Sequence, residues 1–518
     1  MKKLSLVCMA ALLIMAASCK KEEKNEKFDG GFRAKTETHA GDSKTQLVGQ
    51  QDVIWSEGDQ ITVFSEQSPN GQVFTATESG KNDVIFSADV DETYYSQSEF
   101  TSVYPDATKS GDNYQITLGA TQAYTENGFA SGANPMTAHS TNTTLNFKNV
   151  CGLLQLNLYS EANTTVKVKD ITIYSNKTGE KLNGNGKLAI DAEGIPTLTN
   201  LDGGNALTLT CNNVELSKNA ENATPFFFVV PAGALSEGLE VVVTDENDAI
   251  WYRKTTNNCT ITRSMITSLS PICVVPEICT EVQLWADGPY WSTCNLGAEH
   301  PHYYGDYYAW GATAPLYSVR PEQTGTSTSV TFPYGVSYGY NQYCPHRTQG
   351  NYGPNTKWDR YTYGDNKYAA SGVVDDEKVL WAVDDAATAN NSNWRMPTIE
   401  EFLEMVANTE QEWTEDYHHQ NVKGYIIRGK GAYADKCIFL PAAGCIEGTT
   451  RSMWNSQNQQ DVMYYWTATL AYAEPWAYGP APYEAYAVER WRADDVNLRL
   501  NRSWSMRYVG FPIRAIKK

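Results

Sequence analysis

The sequence is poor in charged residues and in histidine. Charged residues make up 19% of its 518 residues, and only 7 residues are histidine. Acidic residues outnumber basic ones by 60 to 41, which gives a formal net charge of −19. Because a chain with this balance repels phosphate backbones and anionic lipid surfaces, we expect no nucleic-acid partner.

Long apolar stripes with the 3.6-residue helical period are also scarce. Tyrosine, threonine, asparagine and glycine recur instead, and aromatic residues reach 12% of the chain. This composition favours short strands and turns over helices. The chain is too long for one hydrophobic core, and at roughly 100–200 residues per domain about three domains are expected.

The first 18 residues have the pattern of a lipoprotein signal peptide. Lys2 and Lys3 precede an apolar run from Leu4 to Ala17 that is too short to span a bilayer comfortably. The run ends in MAASC, which resembles a bacterial lipobox with Cys19 as the lipidated residue; an uncleaved membrane anchor is the alternative. The resemblance implies an outer-membrane lipoprotein, held by acyl chains that contribute about 0.8 kcal/mol per buried methylene.

Residues 19–35 are predicted to be the lipidated cysteine and a charged tether. The run KKEEKNEK has no apolar residue, so it cannot be buried and should be solvated. Lys21 to Glu23 also resembles the short charged signal that sends some Bacteroides-group lipoproteins to the outer face of the outer membrane. We therefore expect a surface-exposed location, with a plain tether as the alternative.

Two runs of short strands follow, at 36–144 and 145–270. The first includes VIWSEGDQITVF, and the second includes NFKNVCGLLQLNL and PFFFVVPAGALSEGLEVVVTD and closes with ITRSMITSLSP. These segments resemble the fimbrillin-like (Mfa-like) family of surface lipoproteins and pilins. The resemblance implies two transthyretin-like β-sandwiches, with other fimbrial subunits as partners joined by strand exchange.

Arg33, in GGFRAKTET, is the candidate processing site that this resemblance implies. Some members of the family polymerise after a protease cuts behind an arginine and a strand of another subunit fills the vacated groove. The physical basis is the completion of an open sheet edge by a neighbouring strand. An ordinary surface arginine, in a loop before the first strand, is the alternative.

Two prolines bracket a predicted linker at 271–281. Pro271 and Pro276 cannot continue a strand ladder, so a domain seam is expected there. Beyond it, residues 282–518 are rich in tryptophan, tyrosine and glycine and contain two short helical patterns, DDEKVLWAVDDAATA and PTIEEFLEMVAN. In the second pattern, Thr398 and Glu401 have the spacing of a capping box.

Five segments of this last region resemble the Fibrobacter succinogenes major paralogous domain: WSTCNLGAEHPHYYGDYYAWG, DDAATANNSNWRMPTIEEF, IFLPAAG, YYWTAT and YVGFPIRAI. The resemblance implies an α+β domain related in fold to C-type lectins and to the formylglycine-generating enzyme. Its aromatic residues are expected to pack inside, with direct ligand contact as the alternative. The tryptophans assigned to the interior are Trp310, Trp394 and Trp466.

The chain lacks the residues needed for the kinds of catalysis found in that fold. The enzymes need a cysteine pair near the C-terminal end or a histidine-rich iron site. This chain has no cysteine after Cys445 and no histidine after His419. We therefore predict neither enzymatic activity nor a cofactor.

The sequence contains only weak indications of metal-binding residues. His418 and His419 are adjacent, and adjacent side chains cannot both face one metal on a regular strand, so an exposed loop pair is predicted. His300 and His302 flank a proline in a turn and have no third ligand nearby. Four aspartates that bracket the first helical pattern are weak Ca²⁺ candidates, although a favourable interaction with the helix dipole is preferred. They are Asp375, Asp376, Asp384 and Asp385.

The spacing of the cysteines says little about metal sites or disulfides. Of the 11 cysteines, Cys8 lies in the signal peptide and Cys19 is the lipidation site, and the others show no zinc-binding pattern. Cys437 and Cys445 flank IFLPAAG, and they either pair in an oxidising envelope or remain buried thiols.

The candidate ligand-binding segment is LAYAEPWAYGPAPYEA, between YYWTAT and AYAVERW. Its aromatic residues lie too close to prolines to form the interior of a strand. Binding residues concentrate on such loops, and flat aromatic faces suit sugar rings or protein receptors; a self-packed insertion is the alternative. The residues are Tyr472, Trp476, Tyr478 and Tyr483.

These features together predict a fimbrillin-type cell-surface lipoprotein that serves as a fimbrial subunit or adhesin. Its C-terminal domain is expected to bind a glycan or protein receptor. A large C-terminal domain would obstruct stacking along a shaft, which favours the tip of a fibre. The alternative is a non-polymerising, glycan-binding accessory lipoprotein of an outer-membrane nutrient-uptake system.

Overall fold

The computed structural model describes residues 30–37, 40–41, 53–317, 320–325, 345–349, 357–363, 368–447, 450–452, 462–471, 484–490 and 501–517. Within these residues the protein is mainly β, which confirms the predicted class. Short 3₁₀ turns lie at Glu92–Ser96, Ala220–Asn222, Tyr417–His419 and Gly431–Tyr433. No helix in the described ranges combines the length and the apolar character needed to cross a bilayer.

Thirteen strands lie in the described residues before 150. Eight of them form one sheet in the order β12-β1-β5-β4-β3-β6-β11-β13. Because β12 and β13 are successive parts of one segment, the sheet curls back on itself around a core that includes Phe32, Trp55 and Phe74. The strands are β1 Phe32–Lys35, β2 Ala40–Gly41, β3 Gln60–Phe64, β4 Gln72–Ala76, β5 Asp83–Ser87, β6 Phe100–Tyr104, β7 Thr108–Ser110, β8 Asn113–Leu118, β9 Thr121–Thr125, β10 Gly128–Phe129, β11 Met136–Ser140, β12 Thr144–Asn146 and β13 Lys148–Asn149.

The tether predicted for residues 19–35 is wrong at its end, because residues 32–35 form β1. This strand pairs with β5 on one side and with β12 on the other. Phe32 is fully buried and packs edge-on against Phe74 and Phe100, with ring centroids 4.9 and 4.8 Å apart. Only two of the four residues of β1 are apolar, so the pattern was too short to be distinguished from the charged run before it.

Ten further strands lie between residues 151 and 273. The sheet β10-β9-β18-β15-β20-β21 packs against the sheet β19-β14-β22-β2 over a core of aliphatic side chains and phenylalanine. A third sheet has the order β17-β16-β8-β7. The strands are β14 Cys151–Tyr159, β15 Lys167–Ser175, β16 Gly184–Ile190, β17 Pro196–Thr199, β18 Ala206–Glu215, β19 Thr224–Pro231, β20 Leu239–Asp245, β21 Ile250–Thr255, β22 Met265–Ser268 and β23 Ile272–Cys273.

Strands cross the boundary predicted at 144/145. β8 pairs with β16, β9 pairs with β18, and β2 pairs with β22. The two β units are therefore interlocked, since residues before 145 complete sheets of the second unit. Hydrophobic alternation indicates which face of a strand is buried but not which strand lies beside it, so the sequence could not show this exchange.

The C-terminal region contains fourteen strands and both helices of the described residues. Its larger sheets are β24-β25-β37-β28, β29-β30-β31 and β34-β35-β36, so that the first and last strands of the region share a sheet. The elements are β24 Glu281–Gln283, β25 Tyr290–Ser292, β26 Arg347–Gln349, β27 Lys357–Trp358, α1 Ala386–Asn390, β28 Trp394–Arg395, α2 Ile399–Asn408, β29 Glu410–Thr414, β30 Gly424–Arg428, β31 Cys437–Pro441, β32 Cys445–Glu447, β33 Thr450–Ser452, β34 Met463–Leu470, β35 Glu484–Arg490, β36 Asn501–Met506 and β37 Ile516–Lys517.

One of the two predicted helices is confirmed. α2 begins with a capping box, in which Thr398 Oγ1 accepts the Glu401 N–H (3.3 Å) and the Glu401 carboxylate accepts the Thr398 N–H (2.8 Å). The helix predicted over DDEKVLWAVDDAATA is wrong for most of its length, because only α1 forms there. Two aspartates of that segment bond to residues 360–362 instead, which holds residues 375–385 out of a helix.

The aromatic stretch that opens the C-terminal region is largely interior. Trp310 and Trp466 are buried, and each indole donates to a backbone carbonyl at 2.9 Å, that of Thr467 and that of Tyr308 respectively. Trp394 was also expected to be buried, but it is only half-buried and lines an open cleft of about 400 Å³ beside α1. Packing is therefore confirmed for two of the three tryptophans.

Candidate functional site

Arg33 lies inside β1, so the loop expected around it is wrong. Its guanidinium forms a two-point ion pair with Asp83 on β5, with Nε–Oδ1 at 2.9 Å and Nη2–Oδ2 at 3.1 Å. Both neighbouring strands pair with its backbone. A protease binds an accessible, extended chain, so a cut behind Arg33 requires β1 to detach first. Processing at this residue remains a prediction.

The segment from β1 to β2 joins the two β units. Glu37, between these strands, accepts from Arg263 (Nη1–Oε2 2.6 Å) and from the backbone N–H of Asn149 (3.1 Å), and Lys148 Nζ lies 3.9 Å away. Burial alone would raise the pKa of Glu37, but the hydrogen bonds from Arg263 and Asn149 and the nearby positive charges hold this pKa below its usual value. A charged network thus ties the N-terminal segment to both units.

The C-terminal region packs on the outer face of the second sandwich. Val242 on β20 and Ile250 on β21 belong to a hydrophobic cluster whose other buried members come from the C-terminal region, among them Tyr307, Tyr417 and Phe439. The neighbouring residues of β20 face the core of the sandwich instead. Burial on both faces accounts for the continuous apolar run of LEVVVTD, since a strand open to water on one face would alternate apolar and polar residues.

His418 and His419 are not the exposed loop pair that their adjacency predicted. The ring of His419 stacks on Tyr174 of β15, with centroids 3.6 Å apart, and the ring of His418 stacks on Tyr252 of β21 at 4.0 Å. The two histidines therefore bridge the C-terminal region and the second sandwich. We call these four residues the histidine–tyrosine joint.

Carboxylates complete the histidine–tyrosine joint. His419 Nε2 lies 2.8 Å from Glu240 Oε2, and His418 Nδ1 lies 3.2 Å from Glu277 Oε1. Both histidines adopt left-handed backbone conformations, with φ of 49° and 61°. That conformation costs a residue with a Cβ about 1–2 kcal/mol, so the contacts of the joint must offset it.

The segment predicted as a linker, 271–281, is held at several points. β23 pairs with β14, and the Glu277 N–H donates to the carbonyl of Ile250 at 2.6 Å. The Glu277 carboxylate accepts from the hydroxyl of Tyr417 at 3.0 Å. A disulfide between Cys279 and Cys294 closes the start of the C-terminal region. These contacts, together with the joint, fix the C-terminal region on the sandwich.

No sequence pattern indicates the Cys279–Cys294 disulfide, because the two residues are 15 apart and only the fold brings them together. The pairing that it allowed, between Cys437 and Cys445, is not made, since Cys437 is a free thiol.

The four aspartates that are weak Ca²⁺ candidates have different surroundings in the structure. Asp375 accepts backbone N–H groups, Asp384 accepts from Arg360 at 2.7 Å, and Asp385 is the N-cap of α1. Asp376 is exposed at a left-handed turn. No group of three or more possible metal ligands occurs in the described part of the chain. The preferred explanation, an acidic residue at a helix start, is confirmed for Asp385.

His300 and His302 are buried beside the histidine–tyrosine joint. Their rings lie nearly parallel, with centroids 5.7 Å apart, and neither Nδ1 has a hydrogen-bond partner among the described residues. Burial, aided by the neighbouring His300 and His418, lowers the pKa of His302 to about 4. His302 is therefore neutral at pH 7.

Arg514 is a structural residue that sequence reasoning missed. It is fully buried, and its guanidinium donates to Asn295 Oδ1 (3.0 Å) and to the carbonyls of Ser292 (3.0 Å) and Phe439 (2.7 Å). Burial lowers its pKa from the usual value. Ser292 ends β25, Asn295 follows it by three residues and Phe439 lies on β31, so Arg514, just before β37, joins β25 to β31.

Cys19 and the loop residues Tyr472, Trp476, Tyr478 and Tyr483 lie outside the described residues. The stem of that loop is described. β34 and β35 form an antiparallel pair, and the Ala471 N–H donates to the carbonyl of Glu484 at 3.2 Å. The candidate binding segment thus starts and ends on a closed hairpin stem.

Comparisons with known proteins bear on the N-terminal half. Residues 38–270 match a family model described as fimbrillin-like. The predicted resemblance is confirmed for these residues, whereas the resemblance of residues 282–518 to the major paralogous domain remains a prediction. No curated protein matches the chain.

Several solved structures are distantly similar. One is a candidate cell adhesion protein from Bacteroides ovatus, at 15% identity, covering 40% of this chain and 80% of that chain with a TM-score of 0.29. A fimbrial protein from Bacteroides ovatus has 10% identity, covering 94% and 99%, with a TM-score of 0.23. A tip fimbrial protein from Porphyromonas gingivalis with a C-terminal truncation has 10% identity, covering 38% and 74%, with a TM-score of 0.16. With TM-scores this low, these similarities do not establish the fold or the function of this chain.

Proposed function

We propose that this protein is a fimbrillin-type surface lipoprotein that acts as a fimbrial subunit or adhesin. The observation that carries the proposal is the fimbrillin-like match over residues 38–270. The lipobox-like MAASC adds an anchor at Cys19 in the outer membrane. Other fimbrial subunits and a glycan or protein receptor are the partners of this function.

Strand exchange is the mode of assembly that we propose. β1 lies between β5 and β12, so the departure of its first half, Phe32 and Arg33, would leave unpaired backbone groups on both neighbouring strands and an open pocket where Phe32 now packs. Such a gap accepts a strand from a second subunit, because main-chain hydrogen bonds provide the affinity. Cleavage behind Arg33 would start the exchange.

Receptor binding is assigned to the C-terminal region and, within it, to the loop that carries Trp476 and Tyr478. The support is the closed stem at Ala471 and Glu484 and the fixed seating of the region on the second sandwich. A rigid support lowers the entropic cost of binding. A large domain fixed in this way would also obstruct stacking along a shaft, so we place the subunit at the tip.

The test is an analysis of the protein on native cells. Immunogold labelling should mark fibre tips, and mass spectrometry of the fibre fraction should find an N-terminus at Ala34. Trp476→Ala with Tyr478→Ala should abolish adhesion and leave the melting temperature within a few degrees. Label spread over the membrane, with every N-terminus at Cys19, would contradict the fimbrial role. Unchanged adhesion by the double variant would contradict the assignment of the loop.

A further inference from the structure

Three apolar side chains form an exposed row in the C-terminal region. Val379, Trp381 and Val383 are 40%, 39% and 69% exposed, whereas Leu380 between the first two is buried. Residues two apart on an extended segment lie on the same face, so Val379 and Trp381 point to the same side. We call these three residues the valine–tryptophan row. Large contiguous apolar patches on the surface of a monomeric protein often mark an interaction site.

The row is held by the core beneath it. The Leu380 N–H donates to the carbonyl of Ala468 at 2.9 Å, and Val379 forms an antiparallel bridge with Thr469. The Trp381 N–H donates to the hydroxyl of Tyr361, also at 2.9 Å. Because its backbone is fixed, the row can be covered by a partner at little cost in conformational entropy.

The surface around the row is acidic. The segment 373–385 that carries the row contains five carboxylates and one basic side chain, Lys378; Asp384 and Asp385 are buried, whereas Asp376 is exposed and Asp375 and Glu377 are half-buried. Arg360 lies over the ring of Trp381 at 5.1 Å, but Asp384 neutralises it through contacts of 2.7 and 2.9 Å. The carboxylate of Asp359 is also half-exposed nearby, 3.3 Å from His346. A partner would therefore meet an apolar centre with an acidic rim.

The charge of the whole chain excludes several occupants of the row. A second copy would bring a net charge of −19 to an acidic rim, and an anionic lipid surface would be repelled in the same way. A sugar would need free polar groups beside the ring. Those nearest to it are committed, since Asp384 holds Arg360 and the hydroxyl of Tyr361, and Asp375 holds backbone N–H groups.

We propose that the valine–tryptophan row is a docking surface for a protein segment with apolar side chains at its centre and lysine or arginine at its rim. The valines and the exposed part of the indole supply apolar area that a partner can bury, and the basic side chains of the partner can pair with the carboxylates of the rim. The acidic rim attracts the partner over a distance and makes binding weaken with salt. This proposal does not depend on the proposed adhesin role.

A direct test uses the full chain and two labelled peptides. One peptide alternates lysine with valine, and the other has glutamate in place of lysine. Fluorescence anisotropy at low and high salt should show binding of the lysine peptide alone, with weaker binding at high salt. Trp381→Ala and Val383→Asp should each weaken binding by about tenfold, the size of effect typical of a central interface residue.

Val73→Asp is the matched control, because Val73 on β4 is 44% exposed but lies in the first β unit. It should bind the lysine peptide as the native chain does. Val383→Asp should leave the melting temperature unchanged, since this side chain is mostly exposed. Equal binding of both peptides, equal loss in the Val73 variant, or no binding of the lysine peptide would overturn the proposal. Trp476→Ala with Tyr478→Ala should keep the peptide affinity, which separates this surface from the loop.

Discussion

Removing the rings of the histidine–tyrosine joint should loosen the C-terminal region from the second sandwich. In the variant His418→Ala with His419→Ala, two aromatic stacks between the units are lost, at 3.6 and 4.0 Å. Each such pair is worth about 0.5–1.5 kcal/mol beyond the area that it buries. The part-buried hydrogen bond between His419 and Glu240, at 2.8 Å, is lost as well and adds about 0.5–1.5 kcal/mol.

The carboxylates of the joint are not left unpaired in this variant. Glu240 keeps Lys254 at 2.7 Å and the hydroxyl of Tyr252 at 2.9 Å, and Glu277 keeps the hydroxyl of Tyr417 at 3.0 Å. No large desolvation penalty therefore adds to the loss. We expect the docking of the two units to weaken by about 1.5–4.5 kcal/mol, which is the sum of the two stacks and the one hydrogen bond.

Glycine at the same two positions is the informative comparison. It also removes both rings, but it relieves the left-handed backbone at positions 418 and 419, which costs alanine about 1–2 kcal/mol per residue. The glycine variant should therefore unfold at a higher denaturant concentration than the alanine variant, although still below the native chain. The opposite order would show that strain does not contribute.

Limited proteolysis of the 271–281 segment and small-angle X-ray scattering measure the loosening directly. The alanine variant should be cut in this segment faster than the native chain, and its radius of gyration should increase. Thermal unfolding should separate into two transitions. If cutting rate, radius and transition all match those of the native chain, the apolar cluster around Val242 and Tyr417 holds the units alone, and the reasoning about the rings is refuted.

Three further predictions concern pH, a buried cation and the anchor. Because the pKa of His302 is about 4 in the folded chain and 6.5 in the unfolded chain, folding should lose up to about 3 kcal/mol as pH falls from 6.5 to 4, and His302→Phe should flatten the pH dependence of the melting temperature. Arg514→Lys should destabilise the C-terminal region by about 2–4 kcal/mol in urea titrations, since one compact ammonium cannot reproduce the three bonds that the guanidinium makes; native stability would contradict this. Cys19→Ala should move the protein from the detergent phase to the soluble fraction, and continued membrane retention would rule out the lipobox.

Sequence reasoning succeeded where a feature is local. The capping box of α2 needs only Thr398 and Glu401, three residues apart, and both hydrogen bonds form. It failed where distant segments meet. Nothing near His418 in the sequence indicates Tyr252, which lies 166 positions away on β21 and still stacks on its ring. Adjacency of two histidines excludes a shared metal on a strand, but it does not make them exposed.

One non-local feature did leave a trace in the sequence. The run LEVVVTD is apolar at successive positions, and β20 is indeed covered on both faces, by its own sandwich and by the C-terminal region. A strand with water on one face would have alternated apolar and polar residues. The run therefore indicated a second covering layer, although it could not identify residues 282–518 as that layer.

The N-terminal segment limits what a cut behind Arg33 could remove. Phe32 would leave its pocket against Phe74 and Phe100, but Ala34 and Lys35 would remain on the other side of the cut. Glu37 would still hold that side through Arg263 and Asn149, and β2 would still pair with β22. Only the first half of β1 is therefore free to depart. A strand from another subunit that replaces it must present an aromatic or large apolar side chain at the position of Phe32, because a smaller one would leave a cavity in the core.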